Sequence, residues 1–486
     1  MSGNSSHGAR YLGFETGSHP DGRIAGLRGT GRNAPVDGRL VMKPAFDRPE
    51  CTPVSTVATS APARRSVTVI AMAIAGTMPG LLLRVTQPTM THWIEALIFG
   101  LAIIASAFLL AWGAEAAQVD ISAGLSIAVL AFIAVLPEYA VDMVFAWKGG
   151  HAFKAHGASC RAKGSTDESP CSLALANMTG SNRLLIGIGW ALVVGLAWWQ
   201  WRKRGMADRE IHLERTNSVE IAYLAVASSY ALTLPLKRTL TLIDGAVLVA
   251  IFIAYTLRIA KAPSEEPHLV GPAKVIGELP TRQRRSTYMA LLLFAAFVIL
   301  ACAEHFAEAL VDTGKAFGIS EFLLVQWLAP LASEAPELLV AGMFAWRLKT
   351  SGGLSMLVSS KVNQWTLLVG TLPVVFAFAS GSLHGLPLDG AQREEVFLTG
   401  AQAAFAVAVL ASLSLSVREG IMLFVLFWAQ FIVGAVVPSR WHAAERIGVG
   451  VVYLCLAVTF LIRQRVQARR TFRDGFRTSY HEMVEG

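Results

Sequence analysis

Two acidic residues of the sequence lie within long apolar runs, each directly after a proline. Glu138 follows Pro137, and Glu337 follows Pro336. A carboxylate at the centre of a transmembrane helix costs about 2.5–3.5 kcal/mol on insertion scales, so such residues usually mark ion pathways. A proline removes one amide donor and opens the helix one turn back. Each Pro-Glu pair could therefore offer carbonyl oxygens and a carboxylate to a hard cation such as Na⁺ or Ca²⁺.

The two Pro-Glu pairs belong to an internal repeat. PEYAVDMVFAWK (137–148) and PELLVAGMFAWR (336–347) are identical at six of twelve positions. Downstream, ANMTGSNRLLIG (176–187) parallels SSKVNQWTLLVG (359–370). We expect the two carboxylates to meet around one cation. The alternatives are an old duplication that keeps only packing residues, and protonated glutamates that are hydrogen-bonded to neighbouring helices.

The elements that would position these residues are membrane-spanning helices. The chain has 486 residues, of which 53% are hydrophobic and 16% charged, whereas soluble domains carry about 25% charged residues. A span needs about 20 mostly apolar residues. The sequence predicts an all-α integral membrane protein with twelve spans: 66–84, 92–117, 121–147, 173–201, 218–236, 242–258, 287–312, 320–346, 354–379, 395–416, 420–438 and 446–463.

The distribution of Lys and Arg predicts the orientation of these spans. Loops that are cytoplasmic when the N-terminus is inside carry more Lys and Arg than the others, with or without the first 65 residues. We therefore expect a multi-pass protein of the cell membrane with both termini in the cytoplasm. The helix carrying Glu138 then runs outward and the helix carrying Glu337 runs inward, so the copies are inverted. Inverted repeats are typical of secondary transporters, whose binding site lies at the repeat interface near the bilayer midplane.

The expected organisation is a ten-helix core of two inverted five-helix repeats with one extra helix at each end. Its parts are a disordered cytoplasmic tail (1–65), an extra N-terminal helix (66–91), the first repeat (92–258), a cytoplasmic linker (259–286), the second repeat (287–438) and an extra C-terminal helix with a basic tail (439–486).

Neither the charge nor the cysteines indicate another class of function. The net charge of +8 does not predict a nucleic-acid partner, because the basic residues lie mainly at the ends of apolar runs. The five cysteines lack metal-type spacing. Cys160 and Cys171 share one polar loop and could pair if that loop faces an oxidising compartment, or remain two free thiols. We expect no cofactor, and partners limited to the bilayer and small cations. The oligomeric state is left open.

The repeats resemble the alpha-repeats of the sodium/calcium exchanger (cation/calcium antiporter) superfamily. The resemblance covers about 92–438 and rests on the prolyl-glutamate helix, the GSN-type helix after it and their inverted repetition. It implies a transporter rather than an enzyme. It also implies ion binding by the two glutamates and by polar residues at matching positions.

The chain departs from the family pattern at several of those positions. Before the glutamate the family has G-T-S-x-P-E, whereas the second copy has Ser333 at the threonine position and Glu334 at the serine position. In the GSN-type helix Ser181 is kept in the first copy, and Gln364 takes its place in the second. Leucines replace the final polar residue of that motif in both copies. We therefore expect fewer oxygens for Na⁺. The predicted ion-binding residues are Glu138, Glu337, Ser333, Glu334, Ser181 and Gln364.

Two basic residues and one further acidic residue lie inside the predicted spans. Arg183 and Lys361 need partners if they are buried, and the expected partners are the glutamates; snorkelling to a membrane edge is the alternative. Lys361 could replace a bound Na⁺ and couple transport to H⁺, because lysine can lose its proton on burial whereas arginine effectively cannot. Asp142 lies one turn after Glu138 and could extend the ion path.

A further group of polar residues lies near the end of the predicted span 287–312. Its members predict a solvated, cation-attracting vestibule, or a metal site that uses the histidine and the acid three residues later. The four residues are Glu304, His305, Glu308 and Asp312.

The leading hypothesis is a secondary antiporter that exchanges Ca²⁺ or a similar cation against Na⁺ or H⁺ by alternating access. A Na⁺/H⁺ exchanger on the same scaffold is the nearest alternative. An intramembrane hydrolase is more remote, since the chain has no HExxH motif. A membrane scaffold without transport is the last alternative.

Overall fold

The computed structural model describes residues 61–120, 136–162, 168–262, 269 and 271–485, and helices dominate this part of the chain. The predicted disordered tail falls mainly on residues 1–60, outside the described residues. The first half contains α1 (Ala61–Thr86), α2 (His92–Ala117), α3 (Leu136–His156), α4 (Pro170–Leu184), α5 (Ala191–Lys203), α6 (Ser218–Ala231) and α7 (Leu242–Ile259).

The second half repeats this helical pattern and adds a C-terminal extension. It contains α8 (Pro272–Gly277), α9 (Thr281–Phe317), α10 (Glu321–Trp346), α11 (Thr350–Asn363), α12 (Val369–Ser380), α13 (Gly390–Leu410), α14 (Val417–Val436), α15 (His442–Arg463), α16 (Arg465–Phe476) and α17 (Tyr480–Glu485).

A π-helical turn joins the two halves of each GSN-type helix. Leu185–Trp190 connects α4 to α5, and Gln364–Leu368 connects α11 to α12. Such turns leave part of the regular hydrogen-bond ladder open and occur frequently at functional sites. When the repeats are aligned, the two π turns lie next to each other and coincide at one position, Leu185 and Leu368.

Nine helices of the described residues are long and apolar enough to cross a membrane, and helix α10, bent by 56°, raises the number to ten. The predicted span 121–147 falls partly on residues 121–135, outside the described residues, and its second half belongs to α3. The predicted span 395–416 needs correction, because α13 begins at Gly390 and ends at Leu410, and Ser414–Ser416 forms a strand.

Two small antiparallel sheets connect the repeats. Strand β1 (Glu210–His212) pairs with β4 (Ser414–Ser416), and β2 (Thr239–Leu240) pairs with β3 (Leu386–Pro387). Each sheet joins a loop of the first half to a loop of the second. In the predicted topology the loops of β1 and β4 share the cytoplasmic face and those of β2 and β3 share the outer face. The pairings therefore agree with the predicted alternation of the spans.

Short polar motifs set the starts of several helices. Thr241 and Asp244 form a capping box at the start of α7, and Ser416 and Glu419 form one at the start of α14. Each box satisfies backbone donors that the first helical turn leaves free. Gly318 adopts a φ of 62° after α9, a left-handed conformation that terminates helices and favours glycine.

The chain after α15 is helical and docked. Helix α16 turns Ala468, Thr471 and Asp474 toward the protein, and its arginines outward. The Arg215 Nε lies 2.7 Å from the Asp474 carboxylate and ties α16 to the start of α6. The predicted basic tail is therefore an amphipathic helix.

Candidate ion-binding site

Five helices meet where the two repeats face each other. Helix α3, with Glu138, packs against α4 and α12, and helix α10, with Glu334 and Glu337, packs against α4 and α11. Close approach depends on Gly180 of the GSN motif, since a Cβ there would lie 1.7 Å from the Gln326 carbonyl oxygen of α10. A side chain at this position would push α4 away from α10.

The amide of Gln364 lies between carboxyl groups of opposite repeats. Its Nε2 donates to Glu334 Oε1 at 2.6 Å and lies 3.4 Å from Glu138 Oε2. All three side chains are buried. The geometry therefore joins the first Pro-Glu helix to the second through a residue that the sequence analysis placed at the serine position of the second copy.

Glu337 completes this acidic group from the half-buried face of α10. It interacts electrostatically with Glu138, and Ser360 lies beside its carboxyl group. Glu334 interacts electrostatically with both other glutamates. The structure therefore brings together the three glutamates and Gln364, as the sequence predicts. We call these four residues the central cluster.

The remaining predicted ion ligands occupy different positions. Ser181 lies beside the Glu138 carboxyl group. The Ser333 hydroxyl donates to the carbonyl oxygens of Ala329 and Pro330 on its own helix, at 3.2 and 3.3 Å, so that hydroxyl is engaged away from the central cluster.

The structure shows a helix bend at one of the two prolines, Pro336. The bend of α10 separates Glu321–Ala335 from Glu337–Trp346, so it lies at Pro336. Proline is a common cause of such bends, because it cannot complete the helical hydrogen-bond ladder. Pro137 is the second residue of α3, and residues 121–135 before it lie outside the described residues. A proline break in the first copy therefore remains a prediction.

Lys361 is fully buried and lies close to the central cluster. Its Nζ donates to Asn182 Oδ1 at 2.7 Å and also to the Asn182 carbonyl oxygen. Glu334 and Glu138 act on it electrostatically. The ammonium therefore lies in the field of two glutamates, although its direct contacts are with an asparagine of the opposite repeat. Snorkelling to a membrane edge does not fit a side chain that is 0% exposed.

Arg183 requires a correction, because neither Pro-Glu glutamate is its partner. Its Nη1 lies 2.8 Å from Glu395 Oε2, and its guanidinium also contacts Gln430. The Trp327 ring centroid is 5.2 Å away. Arg183 leaves α4 toward α13, while Ser181 lies beside Glu138. A sequence repeat aligns positions, but it does not show which side of a fully buried helix each side chain takes.

Asp142 is buried one turn beyond Glu138 on α3, and Asn177 Nδ2 donates to its Oδ1 at 2.7 Å. Glu138 acts on Asp142 electrostatically. Sequence reasoning found Asp142, but it did not single out Asn177, Asn182 or Glu395. Asn177 could have been found from its spacing, because it lies four residues before Ser181 and therefore on the same face of α4.

Only part of the predicted vestibule cluster lines a cavity. Glu308 and Asp312 line a cavity of about 500 Å³, and Lys148 Nζ lies 2.8 Å from the Glu308 carboxylate. His305 instead packs edge-on against Phe99, with 5.5 Å between ring centroids. Among the described residues no three His, Cys, Asp or Glu side chains form a metal-binding group. His305 and Glu308 therefore have no third such ligand beside them in this part of the chain, and Glu304 is exposed.

Cys160 and Cys171 form a disulfide. This resolves the two alternatives for these cysteines in favour of pairing. The bond closes the loop between α3 and α4, which the predicted topology places outside the cell.

The all-α arrangement of membrane-crossing helices around a buried polar cluster defines a class, that of multi-pass membrane transporters. Within this class, the family model described as sodium/calcium exchanger protein matches residues 91–261 and 287–437. The chain belongs to the sodium/calcium exchanger family. It is a cation/calcium antiporter and not an enzyme.

Two solved structures illustrate the relationship. The H⁺/Ca²⁺ exchanger CAX is 38% identical, with a TM-score of 0.76, and the match covers 87% of this chain and 99% of that protein. The Ca²⁺/H⁺ antiporter protein YfkE is 15% identical, with a TM-score of 0.52 over 81% of this chain and 100% of that protein; this likeness concerns the fold alone. No curated protein sequence matches the chain significantly. The resemblance seen in the Pro-Glu repeats and the two-repeat membrane fold are confirmed.

Proposed function

We propose that this protein exchanges Ca²⁺ for H⁺ by alternating access, and that the central cluster binds the ion. The observation that carries the proposal is the position of Gln364, whose amide contacts carboxyl groups from both inverted repeats. A site built by both repeats can be exposed to either face when one repeat moves against the other. Glu138, Glu334 and Glu337 supply the oxygen ligands that Ca²⁺ prefers.

The choice of H⁺ as the counter-ion rests on two observations. Leu185 and Leu368 stand where the family motif has a polar residue, which leaves fewer oxygens for Na⁺. The relative with 38% identity is described as an H⁺/Ca²⁺ exchanger. Carboxylates that release Ca²⁺ inside a membrane need another positive charge, and protons or the Lys361 ammonium can provide it. A Na⁺/H⁺ exchanger is the second candidate, because Lys361 lies in the field of Glu334 and Glu138 and could couple proton transfer to the movement of Na⁺.

The proposed topology has both termini in the cytoplasm, with repeats at 92–258 and 287–438. The sheet pairings support the alternation of the loops. The disulfide supports the placement of the α3–α4 loop outside, because disulfides persist in oxidising compartments. The cell membrane is the proposed location.

The test is transport in everted membrane vesicles loaded with radioactive Ca²⁺ or with a Na⁺ reporter. We expect an imposed pH gradient to drive Ca²⁺ movement and an imposed Na⁺ gradient to have little effect. Ca²⁺ movement driven by Na⁺ would instead support Na⁺/Ca²⁺ exchange. Na⁺ movement driven by pH without Ca²⁺ movement would support the second candidate, and no cation movement would contradict both.

The site assignment is tested in the same vesicles with Glu138→Gln and Glu337→Gln. Each change keeps the shape of the side chain and removes one carboxylate, so we expect loss of Ca²⁺ transport. Glu278→Gln is the matched control, because Glu278 is exposed and lies outside the helix bundle. Normal transport by either variant of the central cluster would remove that residue from the site.

A further inference from the structure

The first repeat contains a second layer of polar side chains beside the central cluster. Glu138 and Asp142 lie four residues apart on α3, and Ser181 and Asn177 lie four residues apart on α4. Residues at this spacing share one helix face, and α3 packs directly against α4. Glu138 therefore faces Ser181 at one level, and Asp142 binds Asn177 one turn further along.

Two of these four buried residues have an oxygen without a hydrogen-bond partner within the described residues, namely Asp142 Oδ2 and Asn177 Oδ1. Glu138 Oε1 and Ser181 Oγ have no other partner there than each other. Buried polar atoms are nearly always paired, and an unpaired one costs about 1–3 kcal/mol. The two orphaned oxygens lie at one helix crossing beside the Glu138–Ser181 pair, and one cation can serve as the common partner of all four groups.

The charges at this crossing also call for a cation. Among the residues that the structure describes, the charged residue that acts on Asp142 is Glu138, which carries the same sign. Lys361 acts on Glu138 and Glu334, and it is already bound to Asn182. Two carboxylates at low dielectric repel each other unless one takes up a proton or a positive charge lies between them. A divalent cation balances both.

We propose that Asp142, Asn177, Glu138 and Ser181 form a second Ca²⁺ position, displaced by one helical turn from the central cluster. The proposal rests on the proposed function, since it concerns the same transported ion. Besides the two carboxylate oxygens that face the amides of Asn177 and Gln364, the four side chains offer four oxygens to Ca²⁺, which takes about 6–8 oxygen ligands and accepts water among them. Glu138 belongs to both positions and can pass the ion from one to the other.

The second position exists in one repeat only. Ala341 stands where the first copy has Asp142, and Ser360 stands where it has Asn177. In the proposed orientation α3 runs outward after Glu138, so Asp142 lies on the outer side of the central cluster. The ion path is therefore asymmetric, with a waiting position toward the outer face.

Direct binding tests the second position separately from transport. Radioactive Ca²⁺ is titrated onto the purified full chain in detergent, first for native protein and for Glu337→Gln, which removes a carboxylate of the central cluster only. We expect Glu337→Gln to retain measurable Ca²⁺ binding. Adding Asp142→Asn or Asn177→Leu to it should weaken the remaining binding by about tenfold or more, in line with the loss of a metal-site group.

Two further variants control for folding. Asp142→Glu keeps the carboxylate and should retain Ca²⁺ binding in the Glu337→Gln background. Thr179→Val lies on the same helix α4 and removes a buried hydroxyl that donates to the Leu175 carbonyl oxygen and accepts from Gln326 Nε2. Neither partner belongs to the proposed position, so Ca²⁺ binding should not change. Only variants that elute as a single monodisperse species are compared.

Two results would overturn the second position. One is equal Ca²⁺ affinity of Glu337→Gln with and without Asp142→Asn, and the other is complete loss of binding in Glu337→Gln alone. Wild-type transport by Glu337→Gln would instead contradict the proposed central cluster, and the Asp142 comparison would still be decisive for the second position.

Transport from each face gives an independent readout. In otherwise native protein, Asp142→Asn should raise the KM for Ca²⁺ presented at the outer face by about tenfold, with a smaller effect at the inner face. Right-side-out and everted vesicles provide the two measurements. An equal change at both faces would place Asp142 in the central cluster and refute a separate outer position.

Discussion

Arg183 and Glu395 form an ion pair inside the helix bundle, with the guanidinium Nη1 2.8 Å from a carboxylate oxygen. Arg446 lies 2.8 Å from the other oxygen of the same carboxylate. Arg446 belongs to α15, which lies beyond the two stretches that match the family model. A single buried carboxylate therefore connects the first repeat, the second repeat and the C-terminal helix.

Glu395→Gln should lower the stability of the protein. It leaves two guanidinium groups beside a neutral amide, and removing one partner of a buried ion pair costs about 3–5 kcal/mol. We expect a lower unfolding temperature, measured by tryptophan fluorescence in detergent. Glu278→Gln should unfold as the native protein does. An unchanged unfolding temperature in Glu395→Gln would show that this pair does not stabilise the bundle.

Gln364→Leu should impair Ca²⁺ transport while the helices remain folded. The change removes the amide between Glu138 and Glu334 and leaves two carboxyl groups without that shared donor. We expect kcat/KM for Ca²⁺ to fall by about tenfold or more, as for other groups that orient metal ligands. Thr366→Val is the control in the same π turn, because the Thr366 hydroxyl bonds to its own helix. Equal transport by both variants would contradict the bridging role.

Lys361→Met should change the pH dependence of Ca²⁺ transport. The ammonium lies in the field of Glu334 and Glu138, and lysine can release its proton in a buried site whereas arginine keeps its own. We therefore expect Lys361→Met and Lys361→Arg both to lose the native pH profile, measured as Ca²⁺ uptake over a pH series. A native profile in Lys361→Met would exclude a proton-coupling role for this residue.

Asp120→Asn should lower stability at neutral pH but not in acid. The Arg284 guanidinium binds both oxygens of this carboxylate, at 2.8 and 2.7 Å, and holds the pKa of Asp120 below its ordinary value. A folded-state pKa below the unfolded value means that the ion pair contributes its full stability above the unfolded pKa. That contribution is lost as the pH falls through the folded pKa.

The measurement for Asp120 is thermal unfolding between neutral pH and about pH 3, below the ordinary aspartate pKa of about 3.9. The difference in unfolding temperature between the native protein and Asp120→Asn should shrink as the pH falls. A difference that is constant across the range would show that the ion pair with Arg284 is not its cause.

The disulfide provides a test of the proposed orientation. Intact cells are treated with a membrane-impermeant reductant and then with an impermeant maleimide. We expect labelling of Cys160 and Cys171 only after reduction, because their loop faces outward in the proposed topology. The variant Cys160→Ser/Cys171→Ser should give no reduction-dependent labelling. Labelling of the native protein that requires permeabilised cells would reverse the orientation.

Local sequence properties were sufficient for the repeat, the membrane class and the central glutamates. Hydropathy and Pro-Glu spacing can be seen within one helix, and the inverted alignment of Glu138 with Glu337 follows from counting spans. The sequence also indicated Gln364, because the alignment of the repeats places it at the position equivalent to Ser181. These features depend on composition and on order along the chain. In a bilayer a long apolar segment forms a spanning helix, and the position of a residue within that segment sets its depth in the membrane.

The tertiary structure alone decided which partner each buried polar group takes. Arg183 lies two residues after Ser181 on α4, yet it pairs with Glu395 and not with a Pro-Glu glutamate. Asn177 binds Asp142, and the two loop cysteines bond to each other. The buried helices are apolar on most sides, so periodicity does not show their rotation or crossing angle. Those two quantities determine every partner, and they arise only when the helices pack.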